Sequence, residues 1–136
     1  MRYLLDTNTC IAAMRNDAFV LKRMAALSPG DCAISTITSY ELATGIEKCA
    51  NPAKEEAKVN LLFATIGEVA FDATAARESG RIRASLESQG CMIGPYDVLL
   101  AGQALVLGLI LVNGNTSEFS RVPNLPLENW QLPSIP

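Results

Sequence analysis

Short apolar runs that read as buried strands alternate along this chain with segments of helical period. That alternation is the pattern of a parallel sheet covered by helices on both faces. Strands are expected at 3–5, 32–35, 68–71, 109–112 and 127–128, and their shortness predicts a small sheet. The helix signals between them are of the expected kinds. Asn51-Pro52 supplies a cap residue and a proline at the first helical position. Asp72 caps a segment in which Ala76, Ser79, Ile82 and Leu86 recur at helical spacing before Gly90, and Gly94-Pro95 opens a further helix that ends at Gly108.

A chain of 136 residues, 49% hydrophobic and 18% charged, makes one compact domain. The expected division is a folded unit over 1–131 followed by a frayed, proline-containing tail over 132–136. The longest apolar stretch, 98–112, is interrupted by Gly and Gln, so no membrane span of roughly 20 residues is expected. Asp6 arrives before a signal-peptide core can form, and a cytoplasmic location is the expectation. Cys10, Cys32, Cys49 and Cys91 contain no C-x-x-C pair and read as free thiols, mostly buried. The chain has no histidine. Ser-His-Asp triads, Cys-His pairs and His-based ribonuclease or zinc chemistry are therefore excluded, and any catalysis must run on carboxylates, hydroxyls, Lys, Tyr or Cys.

In a parallel α/β sheet, functional groups collect at the carboxyl ends of strands and at the helix starts that follow them. Four acids fall there. Asp6 ends the first strand, and Glu41 is expected in the first turn of the helix after the second. Asp97 lies in the first turn of the helix opened by Gly94-Pro95, and Glu118 follows the fourth strand. Each has an ordinary structural explanation when taken alone. Asp6 could cap the next helix, Glu41 stands at capping-box spacing from Thr38, Asp97 complements a helix dipole, and Glu118 could be a solvated acid near Arg121. The stripe Ala101, Ala104, Leu105, however, sets Asp97 on the buried-looking face of its helix, where an acid needs a partner.

Taken together, carboxylates within about 4 Å of one another repel by roughly 4 kcal/mol per pair at an effective dielectric near 20, which a bound cation can neutralise. All-oxygen donors without His or Cys select Mg²⁺ or Mn²⁺ over zinc. Such an ion activates water and stabilises charge on a phosphoryl group, so hydrolysis of a phosphodiester is the natural reaction. The net charge of −3 at first argues against a nucleic-acid partner. Setting these four acids aside leaves ten of the fourteen against eleven basic residues, and the objection lapses. Candidate phosphate contacts are Arg77, Arg81 and Arg83, with Lys48, Arg15 and Lys22-Arg23 beside them. Arg81 can equally pair with Glu78 and Arg83 with Glu87. Tyr96 is a candidate for base stacking or for core packing.

These residues resemble those of a PIN-domain ribonuclease of the VapC type, the toxin of a bacterial toxin–antitoxin pair. The similarity runs through LLDTNTCI (4–11), ISTITSYELATGIEK (34–48), the Arg-containing helix 77–86, IGPYDVLLAGQAL (93–105) and VNGNTSEFSRVPNLPLENW (112–130). The resemblance implies an α/β/α sandwich with a small central parallel sheet and a Mg²⁺- or Mn²⁺-dependent endoribonuclease. Asp6, Glu41 and Asp97 correspond to the metal-binding acids, with Glu118 completing the catalytic group. Asn8, Asn115, Tyr96, Arg77, Arg81 and Arg83 are the expected substrate contacts. The resemblance further implies tRNA as substrate, including the anticodon region of initiator tRNA, a homodimer, and inhibition by a VapB-like antitoxin. Two departures stand out. Asn113-Gly114 replaces a Thr or Ser followed by Asn or Asp, which is expected to loosen that corner and weaken activity, and Gln103 stands where relatives often have His. Two other readings remain: an inactive domain that still binds antitoxin or RNA, and a haloacid-dehalogenase-like phosphatase, which wants a second Asp where this chain has Asn8.

Overall fold

A computed structural model describes residues 1–133 of the chain, so 134–136 of the expected tail 132–136 lie outside the described residues. The element order is β1 (Tyr3–Leu5), α1 (Thr7–Met14), α2 (Ala18–Ala25), a 3₁₀ turn (Pro29–Asp31), β2 (Cys32–Ser35), α3 (Thr36–Lys48), α4 (Pro52–Thr65), β3 (Gly67–Val69), α5 (Ala73–Ser88), α6 (Pro95–Leu107), β4 (Ile110–Val112), α7 (Thr116–Phe119) and β5 (Leu127–Glu128). The five strands form one parallel sheet in the order β3-β2-β1-β4-β5. Two expected strands are trimmed. The run 68–71 pairs only through Val69, because the Phe71 amide turns instead to the Thr36 hydroxyl at 3.0 Å. The run 109–112 starts one residue late, because the Leu109 amide still bonds the Ala104 carbonyl at the end of α6.

Strands this short hold only if both faces are buried, and the alternation of side chains shows how. Tyr3, Leu5, Cys32, Ile34 and Val112 enter one apolar layer with residues of α1 to α4, whereas Leu4, Ala33 and Leu111 enter the other with α5, α6 and α7. Three layers result, as the sequence pattern predicts. Trp130, 1% exposed, meets the Tyr3 ring edge-on with centroids 5.1 Å apart. Its indole N–H donates to Glu128, which also accepts from Arg23. That cluster pins the C-terminal segment beside the first strand, and an aromatic pair of this geometry adds about 0.5–1.5 kcal/mol beyond its burial.

Helices α5 and α6 approach closely because Gly102 lacks a side chain. A Cβ there would stand 2.1 Å from the Ser79 hydroxyl oxygen and 2.9 Å from its Cα. Cys10 and Cys32 are buried, which pushes both thiols up, Cys32 to about 11, so neither is a nucleophile. Among the described residues no helix is long and apolar enough to cross a membrane.

The Gly102 contact separates propensity from packing. Gly102→Ala should cost roughly 1–3 kcal/mol through overpacking, although Ala is the better helix former. Gly80→Ala on α5, where an added Cβ meets nothing within 4 Å, should be neutral or stabilising by up to about 1 kcal/mol. Urea denaturation of both variants decides this, and equal midpoints would show that the helices can part at no cost.

Candidate active site

The chain runs from β1 outward to β2 and β3, then returns to the other side of β1 as β4. The carboxyl ends of β1 and β4 therefore border the switch point of the sheet, the usual crevice for a ligand in an open α/β fold. Asp6 sits there. Its amide donates to the Val112 carbonyl at 2.9 Å, tying the end of β1 to the end of β4. Its carboxylate caps α1 through Oδ1, which accepts the Thr9 amide at 2.8 Å, so the capping explanation and the functional one both hold. Asp6 is 4% exposed, and burial raises its pKa, only partly offset by the hydrogen bonds from Thr9.

Glu41 reaches the crevice from α3, but from its second turn. The expected first-turn placement and the Thr38 capping box are both corrected here: Ser35, the last residue of β2, takes the cap with its hydroxyl 3.0 Å from the Ile37 amide, so the helix starts at once and Thr38 is buried within it. The Thr7 hydroxyl donates to Glu41 Oε1 at 2.6 Å and lies 3.2 Å from the Thr38 hydroxyl. Glu41 is thereby held against the start of α1, next to Asp6.

Asp97 is the third residue of α6, above the buried Ala101 and Ala104, as its stripe predicts. Glu118 stands in α7. Its Oε1 accepts the Gly94 amide at 2.8 Å and its Oε2 the Asn115 side-chain amide at 2.5 Å. The alternative pairing with Arg121 is not formed, because that guanidinium donates to the Met92 carbonyl. Gly94 lets the two acids converge, since a Cβ there would stand 2.9 Å from Asp97 Oδ2 and 3.8 Å from Glu118 Oε1. Burial first, then repulsion from Glu118, Asp6 and Glu41, pushes Asp97 up to about 6. Asp97 thus feels all three of the other sequence-predicted acids. The ion pairs found among the described residues, Arg23–Glu128, Arg81–Glu78 and Arg83–Glu87, lie elsewhere.

The donor set is all oxygen, rich in charge and without a protein cation, which suits a hard divalent ion. Among the described residues no three acids already stand close enough to form a ready-made cage. An ion would have to draw them together.

The basic candidates divide. Arg81 and Arg83 are occupied by the helix-face carboxylates Glu78 and Glu87, the bland alternative the sequence offered, and Arg23 is taken by Glu128. Arg77 and Lys48 are exposed, and Arg15 lines a cavity next to Asn8. Tyr96 is not in the core: it is exposed beside Asp97, its hydroxyl 3.1 Å from that of Tyr40 and the ring centroids 5.5 Å apart. Sequence reasoning missed Tyr40, whose only signal was adjacency to Glu41, and missed Thr7 and Gly94. The expected loosening at Asn113-Gly114 is also corrected. Asn113 is fully buried, and its side chain accepts the Asn115 amide at 2.8 Å and donates to the Leu111 carbonyl, closing a tight Asx turn. Gln103 is buried, with its amide on the Ala70 carbonyl and its Oε1 without a hydrogen-bond partner among the described residues.

Comparison with known proteins agrees with this geometry. The PIN domain family model matches residues 3–125. The tRNA(fMet)-specific endonuclease VapC of Shigella flexneri is 38% identical, covering 96% of this chain and 98% of that protein. Ribonuclease VapC2 of Rickettsia felis is 33% identical over 96% and 98% of the two chains. The crystal structure of DNA-bound VapBC from Salmonella typhimurium superimposes with a TM-score of 0.91 at 36% identity, covering 96% of this chain and 98% of that one.

Because Asp97 protonates more readily folded than unfolded, its protonation stabilises the fold, and that contribution is lost as pH rises from its ordinary 3.8 through about 6. In EDTA, Asp97→Asn should therefore melt higher than the parent at pH 7.5, with the difference shrinking toward pH 5. A variant that melts lower at both pH values would show that the acid is satisfied rather than strained.

Proposed function

The chain belongs to the PIN-domain family and, within it, to the VapC ribonucleases of toxin–antitoxin pairs, and from that premise we propose that it is a divalent-metal-dependent endoribonuclease whose substrate is tRNA. The haloacid-dehalogenase reading falls with the family match, and the inactive-domain reading loses its motive once Asn113 is seen to brace the corner. The observation that carries the metal-dependent reading is the meeting of Asp6, Glu41, Asp97 and Glu118 at the switch point with no protein cation to neutralise them.

Asp6 and Asp97 would hold Mg²⁺ or Mn²⁺, helped by Glu41. When bound, the ion neutralises the carboxylates, lowers the pKa of water and offsets charge growing on the phosphoryl oxygens. The chain's own residues supply the rest. Thr7 fixes the carboxylate of Glu41, so that it keeps one orientation as RNA enters. Glu118, anchored on the Gly94 amide and Asn115, stands beside Asp97 and adds to the repulsion that a bound cation would relieve. Tyr96 and Tyr40 offer exposed ring faces at the rim for base stacking, and Arg77, exposed and in no ion pair among the described residues, offers a cation for phosphate. With no histidine in the chain, a mechanism through a 2′,3′-cyclic phosphate lacks its usual acid–base pair. Hydrolysis directed by the carboxylate group leaves a 5′-phosphate and a 3′-hydroxyl.

By the same premise the working protein is a homodimer in the cytoplasm, held inactive by a VapB-like antitoxin. The solved relatives from Salmonella typhimurium and Rickettsia felis are VapBC complexes.

Purified protein with bulk tRNA and Mg²⁺ or Mn²⁺ should give discrete cuts that are absent in EDTA and reduced at least about 100-fold in Asp97→Asn. End mapping should find 5′-phosphates. Cyclic phosphate ends, or cutting that persists in EDTA or in Asp97→Asn, would overturn the mechanism.

A further inference from the structure

A cavity of about 460 Å³ opens between the outer side of α1 and the C-terminal segment. Asn8, two residues after Asp6, forms one wall, and Gly114, two residues after Val112, another, so the cavity adjoins the chain segments that carry Asp6 and its backbone partner. Resting on the nuclease reading above, we propose that this cavity is a nucleotide subsite that selects which RNA bond is cut. Arg15 takes a phosphate, and the carboxamides of Asn8 and Gln131 read one base.

The lining fits that occupant. The volume lies in the range of small-ligand pockets, roughly 300–1,000 Å³. Arg15 makes no ion pair among the described residues. The carboxamides of Asn8 and Gln131 are likewise unbonded there, and each offers a donor and an acceptor, the pattern that base edges match. Ile11 gives an apolar wall against which a base ring can lie. Asp17 also borders the cavity, but its Oδ1 is committed to the Phe19 and Val20 amides as the cap of α2. A protein segment would find a better seat in the apolar cavity of about 280 Å³ lined by Met14, Leu21, Met24 and Leu61.

Gly114 is what makes the subsite. A Cβ there would stand 2.4 Å from Gln131 Oε1, so a larger residue would push that carboxamide from its present place in the cavity lining. The backbone at Gly114 is not in the left-handed region, so a larger residue would meet the side chain and not backbone strain. Trp130, buried on Tyr3, fixes the point from which Gln131 reaches.

Binding of fluorescent bulk tRNA is measured by anisotropy in EDTA, in the uncleaving Asp97→Asn background. Adding Arg15→Ala should weaken binding roughly tenfold and lower the salt slope by about 0.7–0.9. Adding Gln131→Ala or Gly114→Val should weaken it severalfold. Lys54→Ala, which removes the same charge from α4 and lines none of this cavity, should bind as the background does. With metal and Asp97 intact, Gln131→Ala and Gly114→Val should also redistribute the cuts. Binding by all three variants equal to that of Lys54→Ala would overturn the proposal. So would losses confined to a VapB-like C-terminal peptide with tRNA binding intact, which would assign the cavity to the antitoxin. A parent that cuts no RNA, while Arg15→Ala still weakens tRNA binding in this background, would sink the nuclease reading and with it the selection of a bond, and leave the cavity as an RNA-binding site alone.

Discussion

Burial of like-charged carboxylates beside one another is the constraint on which this site depends. Asp6 is almost wholly buried, Asp97 is raised to about 6, and each feels Glu41. A fold shaped only by stability would replace one of these acids or bring a cation to them, because unpaired charge in a half-buried crevice costs free energy. Here the guanidinium groups of Arg81, Arg83 and Arg121 are engaged elsewhere, by Glu78, Glu87 and the Met92 carbonyl. The strain is instead held by local devices: a cap on α1, a threonine hydroxyl on Glu41, and a glycine amide on Glu118. These devices fix where the charges stand without neutralising them, which is what a site needs if a ligand is to do so.

Much of this was legible in the sequence, for a physical reason. Strands of three or four residues buried on both faces leave little room for polar residues, so β1, β2 and β4 read as apolar runs whose ends are visible. Strand ends in a parallel sheet are where function collects, so Asp6, Asp97 and Glu118 could be named from position. What was illegible depended on side-chain reach. Thr38 looked like a cap because its spacing to Glu41 suits one, yet Ser35 reached the Ile37 amide first and shifted the frame by a turn. Tyr40 carried no periodic signal, since an exposed aromatic on a helix is distinguished only by what faces it, here Tyr96 from another helix. Whether Arg81 meets phosphate or Glu78 likewise depends on geometry that spacing alone leaves open.

The corner at 113–115 shows how a local substitution can be misread as a loss. Exchange of a hydroxyl residue for Asn and of a larger residue for Gly suggests slackness when each position is taken singly. In three dimensions Asn113 takes over the bracing with both ends of its carboxamide, and the space vacated at Gly114 is taken by Gln131 from the C-terminal segment. Two changes that weaken a loop separately can re-form it jointly, because neighbouring residues that share a partner do not contribute additively.

The strand order has a consequence for synthesis. β1 is made first and lies at the centre of the sheet, yet one of its two neighbours is β4, and Tyr3 receives Trp130 only at the end of the chain. Contacts spanning nearly the whole sequence close late, and domains built on them condense as a unit once the last element is free. Asp6 and Glu41 precede in the chain both Glu118 and the strand whose Val112 carbonyl anchors the Asp6 amide. The carboxylate group is therefore complete only once β4 and α7 have joined the sheet, however early Asp6 and Glu41 are made.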